Sequence, residues 1–341
     1  MGLYSALTRP MLFRFPPEAA HRLGDYALRI SPLWSALQPF LATRDERLKT
    51  TVAGLTFPNP VGVAAGLDKD CQFLPGLLDI GFGFATGGTV TRDPRPGNAR
   101  PRVIREPRRR ALLNALGFPG NGLDAAEQKL RGLSDDHRSR IMVSVSGTEI
   151  ADIGECHRRL QPLVAGVEVN VSSPNTAGLR MFHEPDNLRR LVETLVAARD
   201  RPLFVKLPPW RTQEERDEMI GMARAAADAG TDGLVVANTR PVEDARLAVG
   251  RGGLSGAPLT DDTPRMVTDV RRELGPEIAL IACGGVGSTE HVWRLLEAGA
   301  SAVQLYTAFI YDGPGLPGRI NRDLVRMIEN AGTDGLPAGV S

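Results

Sequence analysis

From residue 61 onward, eight short apolar runs alternate with amphipathic helix patterns in a chain of 341 residues. That alternation predicts an α/β fold, a (β/α)8 TIM barrel with an N-terminal two-helix extension. The length agrees, since such a barrel takes about 250 residues and leaves room for one further piece. Composition narrows the class further. Lys+Arg 41 against Asp+Glu 40 gives no bias toward nucleic acid. Cys71, Cys156 and Cys283 stand too far apart for a CxxC metal site and do not form a disulfide framework.

The elements follow in order. Residues 1–41 carry Tyr4, Leu7, Met11, Phe13 and Phe15, then Ala20, Leu23, Ala27 and Ile30, then Leu33, Trp34, Leu37 and Phe40, a spacing that predicts two short amphipathic helices. With Arg9, Arg14, Arg22 and Arg29 among the apolar groups, this segment fits a bilayer surface, a channel for a greasy molecule, or simple docking on the barrel, the last being the plainest. No run reaches the roughly 18–20 apolar residues of a membrane span, and no signal peptide core is present. The expected protein is neither secreted nor membrane-spanning. LKTTVAGLTFPNP then predicts a β-hairpin around Gly54, a plug for the barrel floor. The strands are VGVAA (61–65), FATGGTV (84–90), IMVSVS (141–146), GVEVNV (166–171), PLFVKL (202–207), GLVVAN (233–238), IALIAC (278–283) and AVQLY (302–306). Helix patterns such as EERDEMIGMARAAADAG and TEHVWRLLEAGA lie between them and carry Ala-Gly pairs suited to C-caps. Two units are expected, 1–41 and 42–335.

In such a barrel the C-terminal strand ends face one cup, so residues distant in sequence are read together. The stretch NVSSPNTAGLR, Asn170 to Arg180, brings two amides, two hydroxyls and a proline to one strand end. Around it are Gly66 and Lys69 in AAGLDKD, Thr89, Asn114 in NALGF, Asn170, Ser173, Asn175, Lys206, Asn238 and Thr239. Four asparagines and two lysines without a cluster of Asp, Glu or His point away from a metal and from a paired-carboxylate hydrolase. Uncharged amides suit a planar ring bearing imides and carbonyls. Lys69 suits a ligand carboxylate, and Lys206 suits an electron-rich cofactor. For each lysine alone, a surface salt bridge is the competing reading.

RGGLSG, read as a turn before strand seven, joins CGGVGS and LYTAF as a phosphate site. Gly256, Gly284, Gly285, Tyr306 and Thr307 are its candidates, because glycines let backbone N–H groups approach an anion.

The motifs AAGLDKD, GTVT, PRPGN, NVSSPNTAGLR, VKL, ANT, GGLSG, GG and LYTAF, in this order, make the chain resemble the dihydroorotate dehydrogenases over most of residues 8–325. RPMLFRFPPEAAH and the serine of SSPN resemble the membrane-associated, quinone-using class 2. The resemblance implies an FMN enzyme that oxidises dihydroorotate to orotate in de novo pyrimidine (UMP) biosynthesis, with a membrane quinone as acceptor and peripheral attachment to the cytoplasmic side of the cell membrane. Residues 1–41 would be the membrane and quinone-access segment, and 42–335 the FMN-binding catalytic barrel. It implies Ser173 as catalytic base, FMN contacts from Ala65, Gly66, Thr89, Asn170, Lys206, Gly256, Gly285, Tyr306 and Thr307, and substrate contacts from Lys69, Asn114, Ala115, Leu116, Gly117, Phe118, Asn175, Asn238 and Thr239. His21 and Arg105 resemble positions beside the quinone path. As a lone histidine, His21 also reads as a solvated helix residue.

Three segments depart from the class pattern: Ala115 stands where arginine is usual, VSVSGTE where an Asn and GKN are usual, and Ala237 where threonine is common. These departures leave open a related FMN oxidoreductase acting on another cyclic amide or using a soluble acceptor. Two further readings are a barrel lyase or isomerase in which the phosphate loops hold a sugar phosphate and Lys206 forms a Schiff base, and a catalytically silent FMN-binding relative. Arg108, Arg109 and Arg110 read as a solvated turn.

Overall fold

The computed structural model describes residues 4–173 and 178–337. Among the described residues fourteen strands in chain order carry the architecture. β1 (Thr50–Val52) and β2 (Leu55–Phe57) form an antiparallel hairpin. β3 (Val61–Val63), β4 (Phe84–Val90), β7 (Ile141–Val145), β8 (Gly166–Asn170), β9 (Leu203–Lys206), β10 (Gly233–Val236), β13 (Ala279–Cys283) and β14 (Ala302–Leu305) close into a parallel barrel. These are the eight strands expected from the sequence, and β14 pairs with β3 to seal the ring.

Inside the barrel, side chains alternate with period two along each strand, and the layers change character with height. The lower layer is apolar: Phe84, Met142, Phe204, Val235, Ile281 and Ala302, sealed from beneath by Val52 and Phe57 of the hairpin. Phe57 stacks on Phe84 with ring centroids 4.6 Å apart. Two residues further along the strands, the interior turns polar with Thr86, Ser144, Glu168, Lys206 and Gln304, all buried.

A second sheet went unread in the sequence. β5 (Val103–Glu106), β6 (Ala111–Asn114), β11 (Arg240–Glu243) and β12 (Arg251–Gly256) form an antiparallel sheet in the order β11-β12-β6-β5. RGGLSG is thus a strand rather than a turn, and it pairs on both sides. Arg108, Arg109 and Arg110 sit exposed at the β5–β6 turn, as expected.

The N-terminal extension has three helical pieces rather than two: a π-turn at Tyr4–Thr8 running into α1 (Arg9–Leu12), then α2 (Pro17–Leu28) and α3 (Ser31–Leu41). Proline at the start of α2 and again of α3 explains the breaks, since it is tolerated at the first turn of a helix and not inside the preceding one. Arg102 in the β5 approach donates to Glu18 of α2, Nη2 to Oε1 at 2.8 Å. Arg105 of β5 donates to the Leu12 carbonyl and lies 4.5 Å over the Phe13 ring.

Because Phe57 is fully buried against Phe84, Phe57→Ala should cost about 3–5 kcal/mol. Urea unfolding should show it as a lowered midpoint, and a wild-type midpoint would contradict the plug.

Candidate active site

The strand ends open into a cavity of about 1170 Å³ counted together with the open space at its mouth. The structure brings to its wall Ala65, Gly66 and Lys69 after β3, Thr89 from β4, Asn170 and Ser173 from the end of β8, Lys206 from β9, and Asn238 and Thr239 after β10. Asn114, Leu116, Gly117 and Phe118 reach the same wall from β6, and Gly256, Gly284, Gly285, Tyr306 and Thr307 close it. Asn175 lies outside the described residues.

Ala115, expected at the substrate, is not on that wall. Ala115 is fully buried with Leu113, Leu247 and Leu254 beneath the second sheet, and its N–H donates to the Arg102 carbonyl. Alternation along an extended segment turns it away from the cup while Asn114 and Leu116 face it. His21 and Arg105 lie behind the wall, on the side of the N-terminal helices.

The second sheet explains how Asn114 gets there. β6 pairs with β12 so that Asn114 stands opposite Gly253 and donates Nδ2 to its carbonyl at 3.3 Å. A Cβ at position 253 would sit 2.0 Å from Thr239 Oγ1, so only glycine lets β12 pass this close. At Gly285, φ is +70° and a Cβ would lie 2.4 Å from the Thr260 nitrogen. The N–H groups of Gly285 and Thr307 have no backbone acceptor among the described residues, which suits them to an anion.

A chain of uncharged groups orients the rim. Asn170 Nδ2 donates to Thr89 Oγ1 at 3.3 Å, and Thr89 and Ser144 hydroxyls are 3.0 Å apart. Asn170 Oδ1 accepts from the Ser172 hydroxyl at 2.9 Å, and Ser172 accepts from Asn238 Nδ2 at 2.8 Å. Ser146 donates to the Asn170 carbonyl at 2.7 Å. The two serines of the departing VSVSGTE segment therefore brace the cup. Ser144, Ser146 and Ser172 were missed in the sequence, as were Cys283, Gln304 and Ser255, which line the cavity.

Beneath the rim, Lys206 Nζ lies 3.6 Å from Glu168 Oε1 and donates to Gln304 Oε1 at 3.5 Å. Burial disfavours this ammonium, Cys283 and Glu168 favour it, and together they hold it above the ordinary lysine value. Burial raises the Cys283 thiol, so near neutral pH that group is uncharged and Glu168 is the counter-charge. An ammonium held in this way is a poor Schiff-base nucleophile.

Lys69 is different. Burial pushes its ammonium down, against the carboxylates of Asp25, Asp68 and Asp70. Its Nζ is 3.3 Å from His21 Nε2, which also lies 3.1 Å from the Leu67 carbonyl and 3.4 Å from Asp25 Oδ1. His21 is therefore not a solvated residue, and α2 backs the Lys69 loop directly.

The other histidines, which the sequence left unassigned, divide. His183 Nδ1 lies 3.6 Å from Glu218 Oε1, whereas His157 is buried with neither ring nitrogen hydrogen-bonded among the described residues. Among the described residues no group of three or more His, Cys, Asp and Glu stands ready for a metal.

The fold and the cup define a (β/α)8-barrel enzyme. The dihydroorotate dehydrogenase family model matches residues 47–328. A dihydroorotate dehydrogenase (quinone) of Rhizobium leguminosarum bv. trifolii is 39% identical over 98% of this chain and 94% of its own length. That of Erythrobacter litoralis is 38% identical over 96% of each. Among solved structures, DHODH from Eimeria tenella in complex with ferulenol superposes with a TM-score of 0.83 at 29% identity, covering 95% of this chain and 96% of that one. Its ligand-free form gives 0.82 at 31% identity over 94% and 97%. The chain belongs to the dihydroorotate dehydrogenase family, whose members are in general flavin-dependent.

Two titrations at α2 oppose each other. Burial, then the Lys69 ammonium, hold His21 down to about 3, from an ordinary 6.5. Burial raises Asp25 to about 6, from 3.8, against the pull of Lys69. An undocked His21 would take a proton as pH falls through 6.5, which weakens docking. A docked Asp25 already binds its proton near pH 6, which strengthens docking as pH falls from there toward 3.8. The His21 shift is the larger, so α2 should undock more readily at pH 5 than at pH 7, seen as faster amide exchange over residues 17–28. His21→Asn leaves Asp25 opposed only by Glu18, whose carboxyl is held, against burial, below its ordinary value by Arg102 and Arg100, and should weaken the trend; an undiminished trend would contradict this balance.

Proposed function

We propose that this protein oxidises dihydroorotate to orotate, with FMN in the barrel cup and a membrane quinone as final acceptor, in pyrimidine biosynthesis. The single observation that carries the reading is the convergence of Lys69, Asn114, Asn238, Thr239 and Ser173 on the cavity that Lys206 also lines. The donor set fits the ring system of a flavin: neutral amides and hydroxyls around one buried ammonium, with the Gly285 and Thr307 N–H groups placed for its phosphate.

Ala65, Gly66, Thr89, Asn170, Lys206, Gly256, Gly285, Tyr306 and Thr307 would hold the cofactor. Lys69 would take the substrate carboxylate, and Asn114, Asn175, Asn238 and Thr239 its ring amides and carbonyls, with Leu116, Gly117 and Phe118 covering one side. The flavin supplies a hydride acceptor. Ser173 takes the proton from the neighbouring saturated carbon, so that loss of one proton and one hydride leaves the ring double bond of orotate. A serine hydroxyl is a weak base and must pass that proton on, which gives a function to the polar rim.

Residues 1–41 would carry the quinone and the membrane contact, and 42–335 the catalytic barrel. Leu7, Met11, Leu23, Tyr26, Ile30 and Phe40 are all exposed, Phe40 by 79%, on helices that also carry exposed Arg14, Arg22 and Arg29. An apolar surface edged with arginine fits a lipid headgroup region on the cytoplasmic side. No described helix is long and apolar enough to cross a membrane, which fits peripheral attachment. His21 and Arg105, where α2 and α1 meet the barrel, would border the path of the quinone head.

Ser173→Ala should keep the flavin and slow its anaerobic reduction by dihydroorotate by a factor of about 100 to 10,000. Wild-type reduction in stopped flow would sink the assignment of the base. Replacing Leu7, Tyr26 and Phe40 together by serine should weaken binding to anionic vesicles and turnover with long-chain quinone while leaving flavin reduction unchanged. Undiminished quinone turnover would make the apolar face merely structural.

A further inference from the structure

Glu168 has no part in the chemistry just described, yet it is 0% exposed inside the barrel with Lys206 at 3%. Among the described residues no other cation lies within ion-pair distance of it. Its Oε2 accepts from Gln304 Nε2 at 3.2 Å, and the same amide nitrogen donates to Thr86 Oγ1 at 3.0 Å. That fixes the amide, leaving Gln304 Oε1 to accept from Lys206. Among the described residues Glu168 Oε1 accepts no hydrogen bond, and it sees Lys206 across 3.6 Å, beyond hydrogen-bond length.

An ion pair at this depth loses more hydration than its attraction returns unless its geometry is close and complete, and this one is neither. The layer immediately below shows that the barrel accommodates apolar side chains. Stability alone therefore does not account for the pair, whose lysine end lines the cavity. We propose that Glu168 is a positioning residue: bridged by Gln304, it keeps the Lys206 ammonium charged whether the flavin is oxidised or reduced. The cup then presents a standing positive charge, with no proton recruited to it at each turnover. The loose spacing leaves the ammonium protons to the cavity side. Of the other titratable groups facing Lys206, the Cys283 thiol is neutral, and Thr86, Ser144 and Gln304 carry no charge. The inference rests on the assignment of Lys206 to the flavin.

With glutamine at 168, only Cys283 is left to oppose burial at Lys206, and its thiol is uncharged near neutral pH. Lys206 would lose its proton beside the oxidised flavin and regain one on reduction. The test is the flavin midpoint potential of the holoenzyme, by spectroelectrochemistry from pH 6 to 9. Glu168→Gln should make the potential steeper by one further proton per two electrons, a tenfold change per pH unit or about 30 mV. Glu168→Asp should restore the wild-type slope. In a Lys206→Met background, Glu168→Gln should add no proton to the slope, as expected of a residue that acts through Lys206. If Lys206→Met alters the potential while Glu168→Gln leaves slope and potential at wild type, the proposal is overturned. If Lys206→Met alters neither potential nor flavin affinity, the flavin assignment at Lys206 fails instead. Should Glu168→Gln purify without flavin, the Kd of that variant for added FMN at pH 6 and at pH 9 decides. Binding recovered at pH 6, where Lys206 takes its proton back, supports the proposal, and binding lost alike at both pH values overturns it.

Discussion

Closure of the barrel is the constraint on which everything else depends. When β14 pairs with β3, all eight parallel strands must point the same way, and their C-terminal ends must share one rim. Residues as distant as Lys69 and Thr307 become neighbours of one cavity. The same closure sorts the interior by height. Phe84, Met142 and Phe204 fill the floor over the hairpin plug, and two residues further along the same strands stand Thr86, Ser144 and Lys206. The strand period of two thus converts a linear pattern into an apolar floor beneath a polar layer.

Around that rim, two additions finish the site. The second sheet holds Asn114 against Gly253 and Thr239, and so supplies one wall that the barrel itself lacks. The N-terminal helices supply the backing of another, because α2 sets His21 and Asp25 against Lys69 and is tied to the β5 approach through Glu18 and Arg102. The extension is therefore bound to Lys69 on the cavity wall while its outer face stays apolar and exposed. A single helix joins the acceptor side of the proposed reaction to the substrate side.

The barrel was legible because its strands are short apolar runs, the pattern that parallel strands buried on both faces require, separated by amphipathic helix patterns. The second sheet was not. Three of its four strands carry an arginine, and β6 takes its register from β12 across more than a hundred residues of chain. The break of the N-terminal segment into three pieces follows from prolines whose effect on helix starts the apolar spacing does not record. At the site, the motif residues Lys69, Asn170, Ser173, Lys206, Asn238 and Thr307 all reach the cavity. Ala115 does not, because reading NALGF as one block ignored the alternation of an extended chain. Glu168 and Gln304 were overlooked inside GVEVNV and AVQLY, although a lone charge or amide in an apolar strand is itself a signal, since burial there demands a partner.

The measurement that bears most directly on the account is the visible spectrum of the purified protein under anaerobic conditions, before and after dihydroorotate, followed by quinone. A flavin absorption band that bleaches with dihydroorotate and returns with quinone is the predicted result. A colourless protein as purified, or a yellow one that stays oxidised in excess dihydroorotate, would contradict the assignment of this cup to dihydroorotate oxidation.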